Sequence, residues 1–191
     1  MGDIIHNING LIRLKVDLFK ESCEILGIKY KEADYNIKMN DPYFSGLIDS
    51  DGTIIFNYPG NRIECHLELK YNEYSSKLNL DDVIKNYKPS KLIKNRRLNN
   101  NKNTSSIRFS FQTVKGMIYL YHYFMKNRLY SDFKFYRVSK IKQFLEIRIF
   151  NKDPYESEEY LVYSEFLLNF ITYLNPKGLT TPFVSKLRMK R

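Results

Sequence analysis

The 191-residue chain has no tryptophan, two cysteines and three histidines. Cys23 and Cys65 lie far apart, and neither they nor the scattered histidines follow the spacing of a metal-binding motif. We therefore expect two buried free thiols rather than a disulfide framework or a zinc site. No apolar run approaches the ~20 residues that cross a bilayer, and no signal peptide is visible. These absences predict a protein without a membrane partner.

Acidic residues are too few to balance the basic ones, since 31 Lys and Arg accompany 21 Asp and Glu, for a formal net charge of +10. This charge predicts an anionic partner, nucleic acid before membrane, with solubility alone as the alternative. The 16 Tyr and 13 Phe indicate a chain that packs one core and not a disordered tail. Abundant Lys, Asn, Ile and Tyr suit an AT-rich organellar intron, which predicts a mitochondrial location.

A helix that leads directly into a strand is predicted at residues 41–58. Asp41 is a favourable N-cap, and Pro42 fits the first helical turn, where its missing N–H is no loss. The helix is expected to stop at Asp51 and Gly52, after which residues 53–58 are rich in strand formers. An acidic side chain thus stands where a helix meets the first strand of a sheet, a suitable place for a metal-binding carboxylate.

Residues 44–52 of this segment, FSGLIDSDG, resemble the LAGLIDADG motif of intron-encoded homing endonucleases and their RNA maturase relatives. Phe44 and Ser45 stand where the family often has Leu and Ala, and the other positions fit closely. The resemblance implies an α+β fold of αββαββα order, with a four-stranded antiparallel, saddle-shaped sheet. It also implies one repeat, the second of a two-motif protein, with an N-terminal helix and linker at 1–40 and the LAGLIDADG domain with C-terminal helices at 41–191.

Hydrophobic periodicity predicts the same order of elements. Strands are expected at 53–58, 62–70, 91–97 and 105–113, and an Asn-rich turn at 99–104. Helices are expected at 11–26, 78–87, 114–127, 133–150 and 156–174. The buried positions of the first two are Leu11, Leu14, Leu18, Phe19 and Ile25, and Leu80, Val83, Ile84 and Tyr87. Between them, residues 29–39 are expected to be polar and extended.

The strand at 62–70 alternates cleanly, which predicts one buried face and one wet face. The inward residues are Ile63, Cys65, Leu67 and Leu69, and the outward ones are Arg62, Glu64, His66, Glu68 and Lys70. In the strand at 105–113, Ile107, Phe109 and Phe111 are expected inward and Arg108, Ser110 and Gln112 outward.

Asp51 is the leading candidate for a catalytic residue and metal ligand. Phosphodiester cleavage needs a divalent cation, and a carboxylate oxygen suits Mg²⁺. The resemblance implies that this last acid of the motif reaches metals at the centre of a helix pair, with the Ser50 carbonyl as a further ligand. The alternative is that Asp51 only ends the helix and caps a turn.

The resemblance also implies a catalytic basic residue after the helix that follows the fourth strand. Lys134 is the candidate, although its spacing differs by one residue from the family pattern and Phe133 occupies the usual lysine position. A lysine that is solvated or contacts a phosphate is the alternative. This departure bears on cleavage, because the family places that lysine near the active centre.

Two motif helices pair in the family, and Gly46 would let their backbones approach closely. The second helix would come from another copy of the chain or from another repeat. The expected helix-pair interface consists of Phe44, Gly46, Leu47, Ile48 and Asp49, with Asp49 binding the partner helix terminus or the local backbone.

The outward strand residues are expected to form the nucleic-acid surface, because Arg and Lys meet guanine edges and phosphates and Gln pairs with adenine. The candidates are Arg62, His66, Lys70, Lys94, Arg96, Arg108 and Gln112. Glu64 and Glu68 share this face, where they either accept hydrogen bonds from cytosine or lower the affinity for duplex DNA.

The predicted function is sequence-specific, Mg²⁺-dependent cleavage of double-stranded DNA by paired domains. The alternative is an RNA maturase that binds group I intron RNA and assists splicing, with or without nuclease activity, through shape, phosphate and 2′-OH contacts. A third class is a DNA-binding regulator without a metal site, which the intact Asp51 argues against. The motif does not distinguish endonuclease from maturase, because both carry it.

Overall fold

The computed structural model describes residues 2–97 and 103–188, without the side chains of residues 96, 97 and 103. Its strands are β1 (Gly52–Asn57), β2 (Arg62–Lys70), β3 (Ser90–Arg97) and β4 (Asn103–Phe111). In the described ranges they form one four-stranded antiparallel sheet in the order β1-β2-β4-β3. The predicted α+β class and strand positions are confirmed. Residues 98–102, most of the Asn-rich turn, lie outside the described residues.

The helices lie before, between and after the strands. Their bounds are α1 (Gly2–Ile8), α2 (Val16–Ile25), α3 (Tyr43–Asp51), α4 (Glu73–Lys77), α5 (Met117–Lys126), α6 (Asp132–Ser139), α7 (Ile141–Ile147) and α8 (Glu158–Thr172). From α3 to α5 the order is αββαββα, as the motif implies. None of the helices in the described ranges is long and apolar enough to cross a membrane.

Helix α3 carries the motif, and its ends follow from local chemistry. The Asp41 carboxylate accepts a hydrogen bond from the Tyr43 amide at 2.9 Å, although Pro42 takes the N-cap position itself. At the other end the Gly52 amide donates to the Ile48 carbonyl. A Cβ on Gly52 would lie 2.6 Å from the Ile48 Cα, so only glycine allows the chain to turn this closely into β1.

Aromatic side chains fill the core between the sheet and the helices. The Phe44 ring of α3 is fully buried, 5.2 Å from the Phe111 ring of β4 and 5.4 Å and 5.9 Å from Tyr123 and Phe124 of α5. A second aromatic group joins β1 to α7 and α8 through Phe56, Phe144 and Phe170. One face of the sheet is therefore committed to the core, and its other face is available for function.

The predicted helix at 78–87 is wrong, although its buried positions Leu80, Val83, Ile84 and Tyr87 are right. The segment forms turns, in which Val83 and Tyr87 donate to the carbonyls three residues earlier, while other backbone groups bond to the segment around Tyr35 and Ile37. Asn79 donates to the Tyr35 carbonyl and accepts from the Ile37 amide, both at 3.0 Å. The only regular helix described between β2 and β3 is the short α4, which Asn72 and Ser75 close with a capping box.

The predicted helix at 11–26 begins only at Val16, and its expected buried face is largely wrong. Lys15 has a left-handed backbone (φ 55°), which stops the helix from extending backward. Val16, Phe19 and Cys23 form the buried side. Of the positions predicted to be buried, Leu11, Leu18 and Ile25 are exposed, the last of them by 83%.

The predicted helix at 133–150 is divided into α6 and α7, which meet at Lys140, and a 3-10 turn follows at Arg148–Lys152. Residues 29–38, predicted as a polar extended segment, form no helix or strand apart from an isolated bridge between Asn36 and Asn79, and Ala33, Tyr35 and Ile37 of this segment are buried. Cys23 and Cys65 are both buried free thiols, as expected.

Candidate nucleic-acid interface and metal-binding residues

Asp51 occupies the last position of α3 and its side chain is exposed. Its Oδ2 accepts a hydrogen bond from the Ser50 hydroxyl at 2.9 Å. Two residues further along, Thr53 pairs with His66 across β1 and β2 and is also exposed. The motif helix thus delivers a carboxylate to the edge of the sheet, next to its outer face.

Lys134 binds the end of the same helix. Its ammonium donates to the carbonyl oxygens of Ile48 at 2.8 Å and Asp49 at 2.7 Å. These carbonyls lie in the last turn, where the helix dipole is negative, and the Ile48 carbonyl also accepts from the Gly52 amide. Lys134 is therefore close to the motif and acts there as a C-terminal cap, and its predicted catalytic role stays a prediction.

Asp49 binds the local backbone, one of the two placements expected for it. Its Oδ2 accepts from the Tyr130 amide at 2.7 Å and its Oδ1 from the Ser131 amide at 3.1 Å. Ser131 is the N-cap of α6. A carboxylate at a helix N-terminus is electrostatically favourable, so Asp49 and Lys134 together fasten α3 to α6.

The apolar residues expected at a helix-pair interface lie instead in the core of this chain. Phe44 and Ile48 are fully buried and Leu47 nearly so. They face the sheet because α3 packs directly onto β1 and β2, so these side chains need no second helix to leave water. This corrects the expectation that Phe44, Leu47 and Ile48 form the pairing surface.

The opposite side of α3 presents small residues. Pro42, Gly46 and Ser50 follow one another at four-residue spacing and are all exposed. A Cβ built on Gly46 meets nothing within 4 Å in the described chain. This surface, which we call the Gly46 face, would allow another helix to approach α3 closely. Gly46, the central residue of this face, was predicted from the sequence to lie at a helix-pair interface.

The outer face of the sheet carries most of the predicted nucleic-acid residues, but not all of them are accessible. Glu64 and His66 are only 3% and 6% exposed, which corrects the expectation that both lie on a wet face. They are buried because β2 lies between β1 and β4, and side chains from both neighbours close over it. His66 is therefore not placed to contact a ligand directly.

Glu64 is the centre of a buried polar cluster. Its Oε1 accepts from the side-chain Nδ2 of Asn57 at 2.8 Å and from Arg62 Nε at 2.6 Å. Its Oε2 lies 2.8 Å from His66 Nε2, and because a carboxylate only accepts, His66 is the donor. His66 Nδ1 is 2.9 Å from the Ser110 hydroxyl. Paired in this way, a buried carboxylate is tolerated and fixes the Arg62 side chain.

Glu68 is the centre of a second, more exposed cluster. Its Oε1 accepts from the Ser106 hydroxyl at 2.7 Å, and its Oε2 lies 2.9 Å from Arg108 Nε and 3.5 Å from Lys94 Nζ. Two of the predicted binding residues are thus held by an acid on the same face. Arg62, Arg108 and Lys94 all keep part of their side chains exposed.

The remaining predicted contacts lie around these clusters. Lys70 is exposed at the end of β2, opposite Ser106. Gln112 is exposed just beyond β4, and its amide lies 3.4 Å from the Ser90 hydroxyl. Arg96 pairs with Thr104 in the β3–β4 register, and its side chain lies outside the described residues.

The described residues contain no group of three or more His, Cys, Asp or Glu that could hold a metal ion. Asp51 supplies one exposed carboxylate, and Ser50 lies in the last helical turn, where carbonyls lack helical partners. Mg²⁺ is commonly bound by one or two carboxylates together with substrate phosphates. The oxygen donors at the foot of α3 therefore fit one half of a Mg²⁺ site.

Sequence reasoning missed the cross-strand partners of the two glutamates, Asn57, Ser106 and Ser110. These contacts can be predicted only once the strand order is known, because Ser110 meets His66 only when β4 lies beside β2. It also missed Arg137, which is 8% exposed and stacks on Phe133 at 4.1 Å. Arg137 donates to the Ile54 carbonyl, burial lowers its pKa, and its Nε has no partner in the described ranges.

No protein-family model matches the chain. The chain is 27% identical over 158 residues to a protein named intron-encoded DNA endonuclease ai2b from Dictyostelium discoideum. The match covers 76% of this chain and 54% of that protein, so the chain spans about half the length of this relative. With the motif helix and the four-stranded sheet, this similarity supports a relationship to proteins of the homing-endonuclease type.

Proposed function

We propose that the chain is one half of a Mg²⁺-dependent, sequence-specific DNA endonuclease of the LAGLIDADG type, acting on double-stranded DNA. The observation that carries this proposal is the exposed carboxylate of Asp51 at the foot of α3, beside the outer face of the sheet. The similarity to a protein named as an intron-encoded DNA endonuclease supports DNA as the target. We also propose a mitochondrial location, because the abundance of Lys, Asn, Ile and Tyr suits an AT-rich organellar intron.

In this function Asp51 and the Ser50 carbonyl would hold Mg²⁺. The bound cation supplies charge neutralisation at the scissile phosphate and a water of lowered pKa. Gly52 and the Asp49–α6 contacts fix where the Asp51 carboxylate stands, and Lys134 neutralises the carbonyl end of α3. A second acid is needed, and a second LAGLIDADG helix packed on the Gly46 face would supply it from another copy or another repeat.

The outer face of the sheet would bind the DNA, and Arg108 provides the test. Arg108→Ala is expected to weaken binding to the preferred duplex about 5- to 150-fold, the range for one bidentate arginine contact with guanine. The affinity of the parent should fall steeply with salt, by about −0.9 in log–log slope per neutralised phosphate. Fluorescence anisotropy on a labelled duplex over a salt series measures both quantities.

Lys152→Ala is the matched control, because it removes one positive charge from the 3-10 turn after α7 and leaves the sheet unchanged. Equal losses in the two variants, or an affinity that does not depend on salt, would contradict binding through the sheet. The target for this measurement comes from selecting bound and cleaved sites from a random duplex library in the presence of Mg²⁺.

One further observation favours the maturase function as a second candidate. The Tyr136 ring of α6 and the Tyr173 ring stack at 3.8 Å, and Lys140 Nζ lies 5.2 Å from the Tyr136 ring centroid. Both tyrosines line a cleft in the helical layer with Gln143, Glu165 and Asn169. Aromatic rings beside a cation and amides are typical of sites for unpaired RNA bases. Group I intron RNA would bind there, away from the sheet.

An intron-splicing assay with Tyr136→Leu distinguishes the two functions. A maturase that uses this cleft should lose splicing with this variant and retain it with Asp51→Asn. An endonuclease should show the opposite dependence in cleavage of its duplex target. Tyr155→Leu, which changes an exposed tyrosine elsewhere, is the control.

A further inference from the structure

Glu68 stands at the middle of the outer face, where acid is unexpected if the face only attracts phosphates. It pairs with Arg108 in the β2–β4 register, and Lys94 and Ser106 reach it from β3 and β4. These contacts join Glu68 to β3 and β4. The Glu68 carboxylate therefore orients the side chains of Arg108 and Lys94, which would otherwise contact DNA phosphates independently of each other.

Arg108 is held through one nitrogen of its guanidinium group. Glu68 Oε2 accepts the Nε hydrogen at 2.9 Å, and within the described ranges the two terminal Nη groups have no hydrogen-bond partner. A guanidinium fixed in this way keeps a pair of N–H donors for another ligand. Two parallel donors match the O6 and N7 acceptors that guanine presents in the major groove.

Glu68 has the chemistry that matches the other base of the same pair. A carboxylate accepts a hydrogen bond from the N4 amino group of cytosine, which also points into the major groove. Lys94 lies at 3.5 Å, a longer contact than that of Arg108, so an amino group can replace its ammonium against Oε2. Lys94 would then turn to a phosphate.

We propose that Glu68 and Arg108 together recognise one C·G base pair of the target, with Glu68 on cytosine and Arg108 on guanine. Glu68 also weakens binding to other sequences. Where the DNA offers no suitable amino group, Glu68 keeps Arg108 and Lys94 paired within the protein. The inference rests on the proposed binding of duplex DNA by the sheet, and it names a feature of the substrate.

Glu68→Gln is the decisive variant, since it keeps the shape of the side chain and removes its charge. We expect its preferred base at the recognised position to change from cytosine to adenine, because a Gln amide pairs with the adenine N6 and N7 groups. On a duplex of random sequence its affinity should rise, and its salt dependence should steepen by about 0.9 to 1.8 in log–log slope, for one or two released cations.

Arg108→Lys separates recognition from charge. It keeps one positive charge but loses the paired donors, so discrimination for guanine should fall about 5- to 150-fold while the salt slope on random duplex stays the same. Glu73→Gln is the control for net charge, because it removes the same charge from the exposed first residue of α4, where the carboxylate contacts Lys77.

The selected-site profile of each variant, measured on duplex libraries with matched salt, decides between the outcomes. If the parent binds duplex DNA but Glu68→Gln keeps its base preference and its salt slope, the inference is overturned and the proposed function stands. If Glu73→Gln raises the affinity for random duplex as much as Glu68→Gln does, the inference that Glu68 weakens binding to other sequences is overturned. If the parent binds no duplex DNA, the proposed function fails and the inference with it.

Discussion

Asp51→Asn is expected to abolish cleavage of the preferred DNA target, with a loss of at least about three orders of magnitude, while binding stays within about threefold of the parent. The substitution keeps the size of the side chain and its ability to accept from the Ser50 hydroxyl. It removes the negative charge that a hard cation requires. Because Asp51 is exposed and makes no core contact, the fold should be unaffected.

Single-turnover cleavage of a labelled duplex at saturating protein measures this loss, and anisotropy without Mg²⁺ measures binding. Asp82→Asn is the matched control, because Asp82 is also exposed but lies in the turns between α4 and β3. An Asp51→Asn protein that cuts as fast as the parent would show that Asp51 is not a metal ligand. A variant that loses binding and cleavage together would point to a role in DNA contact.

The fold was predictable because its signals are local. Asp41, Pro42 and Gly52 mark the ends of α3 by their backbone preferences. The alternation in β2 identifies its core side, which consists of Ile63, Cys65, Leu67 and Leu69. These signals act over a few residues, so they survive without knowledge of the partners. The motif resemblance supplied the order of the elements, and the four-stranded sheet agrees with it.

The segment 78–87 shows where local signals fail. Its apolar spacing fits a helix, and the spaced residues are indeed buried. The backbone nevertheless bonds to the segment around Tyr35 and Ile37, more than 40 residues earlier in the chain. A pairing over this distance leaves no trace in the periodicity, and it replaces the helical hydrogen bonds that periodicity assumes.

The candidate site was predictable in its residue types more than in their surroundings. Asp51 lies exposed at the foot of α3, as the motif implies, and Asp49 binds the backbone of the chain itself. The burial of Glu64 and His66 was not predictable, because it depends on β2 being a central strand. Alternation distinguishes two faces of a strand but not whether the polar face is covered by its neighbours.

Phe44→Ala and Gly46→Leu should separate folding from pairing. Phe44→Ala is expected to lower the free energy of unfolding by about 3–5 kcal/mol, the range for a buried phenylalanine replaced by alanine. Phe44 is fully buried among Phe111, Tyr123 and Phe124, so the vacated space cannot be refilled by solvent. This loss is a large part of the ~5–15 kcal/mol that stabilises a typical domain.

Gly46→Leu should leave the isolated chain as stable as the parent or more so. A side chain at Gly46 meets no atom of the described chain, and leucine is favoured over glycine within a helix by up to about 1 kcal/mol. On the Gly46 face, however, leucine would hold two motif helices apart, so the paired form should be lost and DNA cleavage with it.

Urea unfolding of each variant, followed by circular dichroism, and light scattering over a concentration series measure the two effects separately. Leu18→Ala, at an exposed position of α2, should change the stability by no more than about 0.5 kcal/mol and serves as the control for side-chain truncation. If Phe44→Ala weakens pairing without loss of stability, the core assignment of Phe44 is wrong. Because α3 buries its apolar side in its own sheet, the Gly46 face is the side of α3 that is left for a partner helix. If Gly46→Leu pairs and cleaves like the parent, pairing does not use the Gly46 face.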